Sequence, residues 1–330
     1  MHPIFVGLVG FVAAVAVPLA AVHAQSPSGR LTLYTSQPQA DAQATIDGFR
    51  RLNPQVEVAF VRDGTTQLMN RLQAEFVAGQ PQPDVLLIAD AMTMESLKRE
   101  NRLLAYPGAK TDGLPAGSHD AEKTYFATKL ITTGIVYNRA ATMKPESWAD
   151  LAKPEARGQV LMPSPLFSGA AAIHMGSVVA APGLGWSYFE ALQRNGAQAA
   201  RGNPAVLEAV AGGQKLYGVI VDFMAIRARE RGSPVEFVFP KEGVTFVTEP
   251  VAILRTARNQ DAARAFVDFL LSADGQGLAA SQGMLPARGD VPPPPGFPDL
   301  ARVPMMKSDI AAILRDDERN KERFADLFGR

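Results

Sequence analysis

The sequence predicts an α/β protein built as two doubly wound lobes joined by two extended crossover strands. Three observations carry this. Strand-like and helix-like segments alternate three times between residues 31 and 99, the rhythm of a parallel sheet with helical crossovers. A second alternating set begins after residue 139. Two apolar extended segments, 130–137 and 243–254, belong to neither set and join the end of one to the start of the other.

Ahead of the first strand, Phe5 to Ala21 is an apolar run interrupted by Pro18, and Val22-His23-Ala24 puts small or apolar residues where a signal peptidase reads. Residues 1–24 read as a secretory signal cleaved after Ala24. A retained anchor is the competing reading, since the run approaches the ~20 residues of a membrane span. Leu31 to Thr35 is the first strand. Ala40, Ala44, Ile46, Phe49 and Leu52 then recur at helical spacing, and Pro54 ends the helix. Val56 to Val61 alternates as a strand, Gly64-Thr65-Thr66 opens a second helix, and Asp84 to Ile88 is a short strand of the buried parallel kind. Met92 to Arg99 closes the set as a helix.

In the second set, Glu146 to Leu151 reads as a short helix and 158–162 as a strand. The loop 163–169 leads into an Ala-rich helix from Ala170. Helices are expected at 186–195, 203–212 and 224–231, with strands at 217–221 and 235–239. Gln260 to Leu271 is amphipathic through Ala263, Phe266, Val267 and Leu270. Pro292 to Pro295 is a stiff connector, and 307–328 is a last helix whose mixed charges at 315–323 read as a solvated face. The expected lobes are 31–131 plus 255–330, and 139–245, with 132–138 and 246–254 as hinge crossovers. A cleft between hinged lobes is a ligand trap.

Composition narrows the function. Lysine plus arginine equals aspartate plus glutamate at 33 each, so nothing points to a nucleic-acid partner. There is no cysteine, hence no disulfide framework, thiolate metal site or cysteine nucleophile. Apolar residues make up 47% of the chain, enough for a large core without covalent staples.

The chain resembles the periplasmic solute-binding proteins of ABC importers, in the branch of ferric-ion, sugar-phosphate and phosphonate binders. The likeness lies in Leu31 to Gln37, Gly64-Thr65-Thr66 with Leu72-Gln73-Ala74-Glu75, Pro83-Asp84-Val85 and Thr133 to Asn138. It continues in Ser147 to Leu151, in 259–272 and in Gly275-Gln276. The resemblance implies a type II periplasmic-binding fold, a periplasmic location and a monomer that closes on a small solute and delivers it to an inner-membrane permease. It implies no cofactor and no catalysis. Ferric-binding relatives hold the metal with two adjacent tyrosines after the strand matching 217–221. Here Val221-Asp222-Phe223-Met224-Ala225 stands there, and Fe(III) is poorly served without anionic oxygen donors. The resemblance therefore extends to fold and transport role rather than to iron ligation.

The expected ligand contacts lie where strands give way to helices. In the second lobe these are Ser164, Ser168, Gly169 and Ala170, where a serine cap, a small residue and free helix amides make an anion site. Simple capping is the alternative for Ser168. In the first lobe they are Thr35, Ser36 and Gln37, then Thr65 and Thr66, then Asp90, with helix capping the competing role for Asp90. Asp222 and Glu249 are candidate acidic contacts to hydroxyls or an ammonium, or else structural acids paired inside the fold. His119 and His174 are isolated and make no metal site. The expected ligand is a small polar anion, a phosphorylated sugar or phosphonate. Alternatives are ferric ion or an iron chelate as cargo, and an exported hydrolase, although no nucleophile elbow or zinc-protease motif is present.

Overall fold

The computed structural model describes residues 26–299 and 302–329; the expected signal lies outside them. The first half follows the predicted alternation: β1 (Gly29–Thr35), α1 (Gln39–Leu52), β2 (Val56–Arg62), α2 (Thr65–Val77), β3 (Val85–Leu87) and α3 (Ala91–Arg99). β1 pairs in parallel with both β2 and β3. The chain then runs through β4 (Tyr125–Asn138), two short 3₁₀ turns, β5 (Val160–Pro163), α4 (Gly169–Ala180) and α5 (Gly185–Arg194). Next come β6 (Gln198–Ala200), α6 (Asn203–Ala211), β7 (Tyr217–Val221), α7 (Asp222–Glu230), β8 (Val235–Val238) and β9 (Thr245–Ile253). The last elements are α8 (Gln260–Leu271), α9 (Ala273–Ser281), β10 (Leu285–Pro286) and α10 (Ile310–Phe328).

One sheet runs through both lobes in the order β2-β1-β3-β9-β4-β7-β5-β6, with β8 and β10 also paired to β4. β9 is antiparallel to β3 on one side and to the first part of β4 on the other. The second part of β4 is antiparallel to β7 and β8. β4 and β9 are thus the two crossovers the sequence predicts, each longer than a lobe needs. The register of their pairing shifts between Ala127 and Leu130, and such an irregularity bends a strand.

Each lobe has its own core. Leu31, Leu33, Phe49, Val85, Phe266 and Leu270 pack together in the first. Phe49 lies edge-on to Phe266 at 5.0 Å and to Phe269 at 5.9 Å. In the second, Val136, Ile220, Ala225 and Val235 form one cluster and Trp148, Tyr188, Phe189 and Tyr217 another.

The structure differs from the expectation in several places. β6, α9 and β10 were not anticipated, and β4 starts five residues earlier than the predicted segment. The segment at 146–151 is a 3₁₀ turn, Trp148–Ala152, held by a capping box between Ser147 and Asp150. The terminal helix was expected with the first lobe, yet α10 lies on α4 and α5. Phe324 meets Phe189 at 6.1 Å, Arg323 pairs with Glu190 at 2.8 Å, and Ile313 fills the space Gly176 leaves by having no side chain. Most of the apolar stripe of α10 meets the second lobe, but the helix also packs on α3 of the first, where Ile313 clusters with Met92, so it bridges the two lobes. Among the described residues no helix is long and apolar enough to cross a membrane.

Candidate functional site

A cavity of about 290 Å³ lies between the lobes, at the strand ends. Five helices turn their N-terminal ends to it: Pro38 before α1, Gly64 and Thr65 of α2, Gly169 and Ala170 of α4, Pro204 of α6 and Phe223 of α7 all line it. Helix N-termini carry unpaired amides and the positive end of the helix dipole. In α4 the Ser168 hydroxyl accepts from the amide of Ala171. The amides of Gly169 and Ala170 have no acceptor among the described residues. Asn203 ties three of these ends together, accepting from the amide of Val221 at 3.1 Å and reaching Ser168 Oγ at 3.5 Å.

Two arginines add full charge. Arg62 stands at the end of β2 and donates from Nε to the carbonyl of Gln37 at 2.8 Å. Its terminal nitrogens have no partner among the described residues. Arg201 follows β6, lies over the Phe167 ring at 5.5 Å and faces Asp63 at 3.8 Å. Glu249 reaches the cavity from β9, but its Oε2 is held by Lys129 and by Gln37 Nε2. Lys129 and Glu249 are both almost fully buried, so each charge offsets the other. Asp63, also on the lining, offsets part of Arg201, and Arg62 is the lining cation left without an acid partner among the described residues. Ile131, Phe167, Phe223, Met224 and Met284 supply apolar walls.

Of the residues expected from sequence, Ser36, Thr65, Ser168, Gly169, Ala170 and Glu249 line this cavity together. The others lie elsewhere. Thr35 is fully buried and its hydroxyl accepts from the amide of Gln37. Gln37 sits behind Glu249. Thr66 and Asp90 line a separate groove against α10. Asp90 caps α3 through the amides of Met92 and Thr93, and burial raises its carboxyl above the usual range. Ser164 caps a turn, accepting from the amide of Leu166.

Asp222 opens α7 with its side chain turned inward, away from the cavity. It accepts from the amide and hydroxyl of Thr132 at 2.9 and 2.7 Å and from the amide of Phe223 at 2.6 Å. Burial pushes its carboxyl up to about 6, with these bonds opposing the rise. It is a structural acid that fastens α7 to β4.

Sequence reasoning missed Arg62, Arg201, Phe167, Asn203 and Phe223. A signal for Arg62 was present, since an arginine ends β2 directly ahead of the Gly64 turn. Arg201 escaped because β6, the three-residue strand that positions it, carries no clear pattern.

The chain matches the model of the family described as bacterial extracellular solute-binding protein over residues 80–312. It is 28% identical over 242 residues to a probable ABC transporter periplasmic-binding protein of Sinorhizobium fredii, covering 70% of this chain and 67% of that one. Its fold is similar to that of the periplasmic binding protein AfuA from Actinobacillus pleuropneumoniae, solved with fructose-6-phosphate. The TM-score is 0.83 at 23% identity, over 91% of this chain and 98% of that one. Iron-bound HitA from Pseudomonas aeruginosa is similar at TM-score 0.78 and 20% identity, over 89% and 99%. A match over most of the chain, with the two-lobed architecture and its cleft, places the protein: it belongs to the bacterial extracellular solute-binding protein family, as a solute-binding subunit of an ABC importer.

Proposed function

We propose that this subunit captures a small phosphorylated sugar or phosphonate between its lobes in the periplasm and presents it to the permease. The observation that carries the reading is one cavity at which five helices begin, with the unpaired amides of Gly169 and Ala170 and the guanidinium groups of Arg62 and Arg201 on its wall. Unpaired amides and guanidinium groups are the donors that bind phosphoryl oxygens. The second oxygen of Glu249, which has no partner among the described residues, suits a hydroxyl or ammonium on the same solute. The apolar walls suit its carbon skeleton, and a solved neighbour of this fold carries a hexose phosphate.

Iron is served less well. The segment after β7 brings Phe223 and Met224 to the cavity, and Glu249 is engaged by Lys129. Catalysis is served no better. The Ser168 hydroxyl is used in capping α4, and His174 is turned to Thr245 at 3.0 Å.

A thermal-shift screen of hexose phosphates, aminoalkylphosphonates, inorganic phosphate and ferric ion tests this. Stabilisation by a phosphorylated compound is expected, about 2.7 kcal/mol at a hundredfold excess over its dissociation constant. Arg62→Ala should weaken that binding by roughly 10–100-fold, the scale of one charged hydrogen bond. A shift with ferric ion and none with any phosphorylated compound would overturn the reading.

A further inference from the structure

Gly64 and Gly169 stand on facing walls of the cavity, and each touches the opposite lobe. A side-chain carbon on Gly64 would lie 2.4 Å from the carbonyl oxygen of Phe167. One on Gly169 would lie 2.8 Å from Cβ of Asp90 and 3.0 Å from the carbonyl oxygen of Ala89. Across the seam the obstructing atoms are main chain or a Cβ, and no rotamer change moves them; Gln67 Oε1, 2.6 Å from the same point at Gly64, belongs to the same lobe and can turn aside. Neither position needs glycine for its own conformation. Gly64 has φ −61°, and Gly169 is not among the positive-φ glycines. It is the neighbouring lobe that excludes a side chain. Gln67 spans the same seam, donating from Nε2 to the carbonyl of Leu166 at 3.3 Å.

We propose that Gly64 and Gly169 are the stops that set how far the lobes close, and so the largest solute the closed cavity holds. The size limit rests on the reading that this cavity takes the solute; the stops themselves do not. With both contacts made the cavity measures about 290 Å³, at the lower end of the roughly 300–1,000 Å³ of ligand pockets. The solute class that fits is a single ring or short chain with one anionic group, not an oligomer. A methyl at either stop acts as a wedge that the opened molecule accepts and the closed one does not.

The chain has no cysteine, so a reporter pair can be introduced without background. Asp63→Cys and Arg201→Cys replace side chains that face each other across the mouth at 3.8 Å. A short bismaleimide is used to join them in the full chain, with no solute added. The parent pair should cross-link readily. Adding Gly64→Ala or Gly169→Ala should slow the reaction on the order of tenfold or more, the scale of overpacking a rigid contact. Gly277→Ala should not slow it, because a carbon there meets nothing within 4 Å.

Circular-dichroism melting checks that each variant folds. Equal rates in all variants would overturn the proposal, and slowing in only one would overturn it for the other glycine. Loss of fold in both would also overturn it, since an opened state has to accept either methyl. So would a parent pair that never cross-links, since the walls then do not meet. No solute enters the measurement. A failed search for phosphorylated ligands leaves this result standing, and equal rates leave the anion reading standing.

Discussion

Gln276 makes four hydrogen bonds from a single buried amide. Its Nε2 donates to the carbonyls of Thr128 and Leu270, each at 2.7 Å, and its Oε1 accepts from the amides of Ala287 and Arg288 at 2.6 and 3.2 Å. One side chain thereby joins the irregular stretch of β4, the end of α8 and the segment after β10. Gln276→Ala should lower stability by roughly 2–5 kcal/mol in urea titration, because it strands buried backbone groups. Gln276→Leu should do no better, since packing is not what is lost. Little of this was legible in the sequence, where a glutamine after Gly275 carries no local signal of its partners. Glu249 was legible in part: an acid inside an apolar run demands a partner, and the run itself located it. That the partner is Lys129, 120 residues away, is information only the pairing of β4 with β9 supplies. The same limit applies to Asp222. A strand-end acid looks like a ligand contact until the amide and hydroxyl of Thr132 are seen to consume it.

Elements with long periodic patterns, such as α1, α8 and α10, were readable because many positions vote for one period. β6 and β10, at three and two residues, offer too few positions, and the glycines of α9 weaken its helical pattern. α4 shows a further case. It is apolar on nearly every face, so its sequence predicts burial but not which neighbour meets His174. That ring lies against Trp148 at 4.7 Å, and burial lowers its pKa to about 3. α7 carries the opposite perturbation at Asp222, raised to about 6 by burial. The signs follow from linkage. His174 is neutral in the folded state, so its contribution is present above its ordinary pKa near 6.5 and is lost as pH falls toward 3. Asp222 is protonated more readily when folded, so its contribution is present below about 4 and is lost as pH rises through 6. Between pH 4 and 6 the two oppose each other, each by about 1.4 kcal/mol per pH unit. Chemical denaturation at pH 4, 5 and 6 separates them. Asp222→Asn should lose stability more steeply than the parent as pH falls, and His174→Gln should lose it less steeply.

At the scale of the whole molecule the two lobes and their two crossovers were legible, since two long extended segments stood outside the alternating pattern. The seam between the lobes was not, because it is made by residues far apart in sequence. Asp41 of α1 and Arg227 of α7 belong to different lobes and form a two-pronged ion pair, at 2.8 and 3.2 Å. Arg227 also donates to the carbonyl of Gln282 at 3.1 Å and lies over the ring of Phe223 at 5.4 Å, a wall of the cavity. The pair is mostly buried, and a buried acid that loses its cation is destabilised by about 3–5 kcal/mol if it stays buried. In a two-lobed protein it need not stay buried, since opening returns Asp41 to water. The loss in Arg227→Ala should then fall on closure rather than on folding. The melting temperature without solute should drop little, while affinity for the solute found by thermal shift falls on the order of tenfold or more. Calorimetric titration beside a solute-free melt distinguishes the cases. A large drop in melting temperature with unchanged affinity would mean that the pair persists when the lobes part, and would make it a fixed brace rather than a clasp.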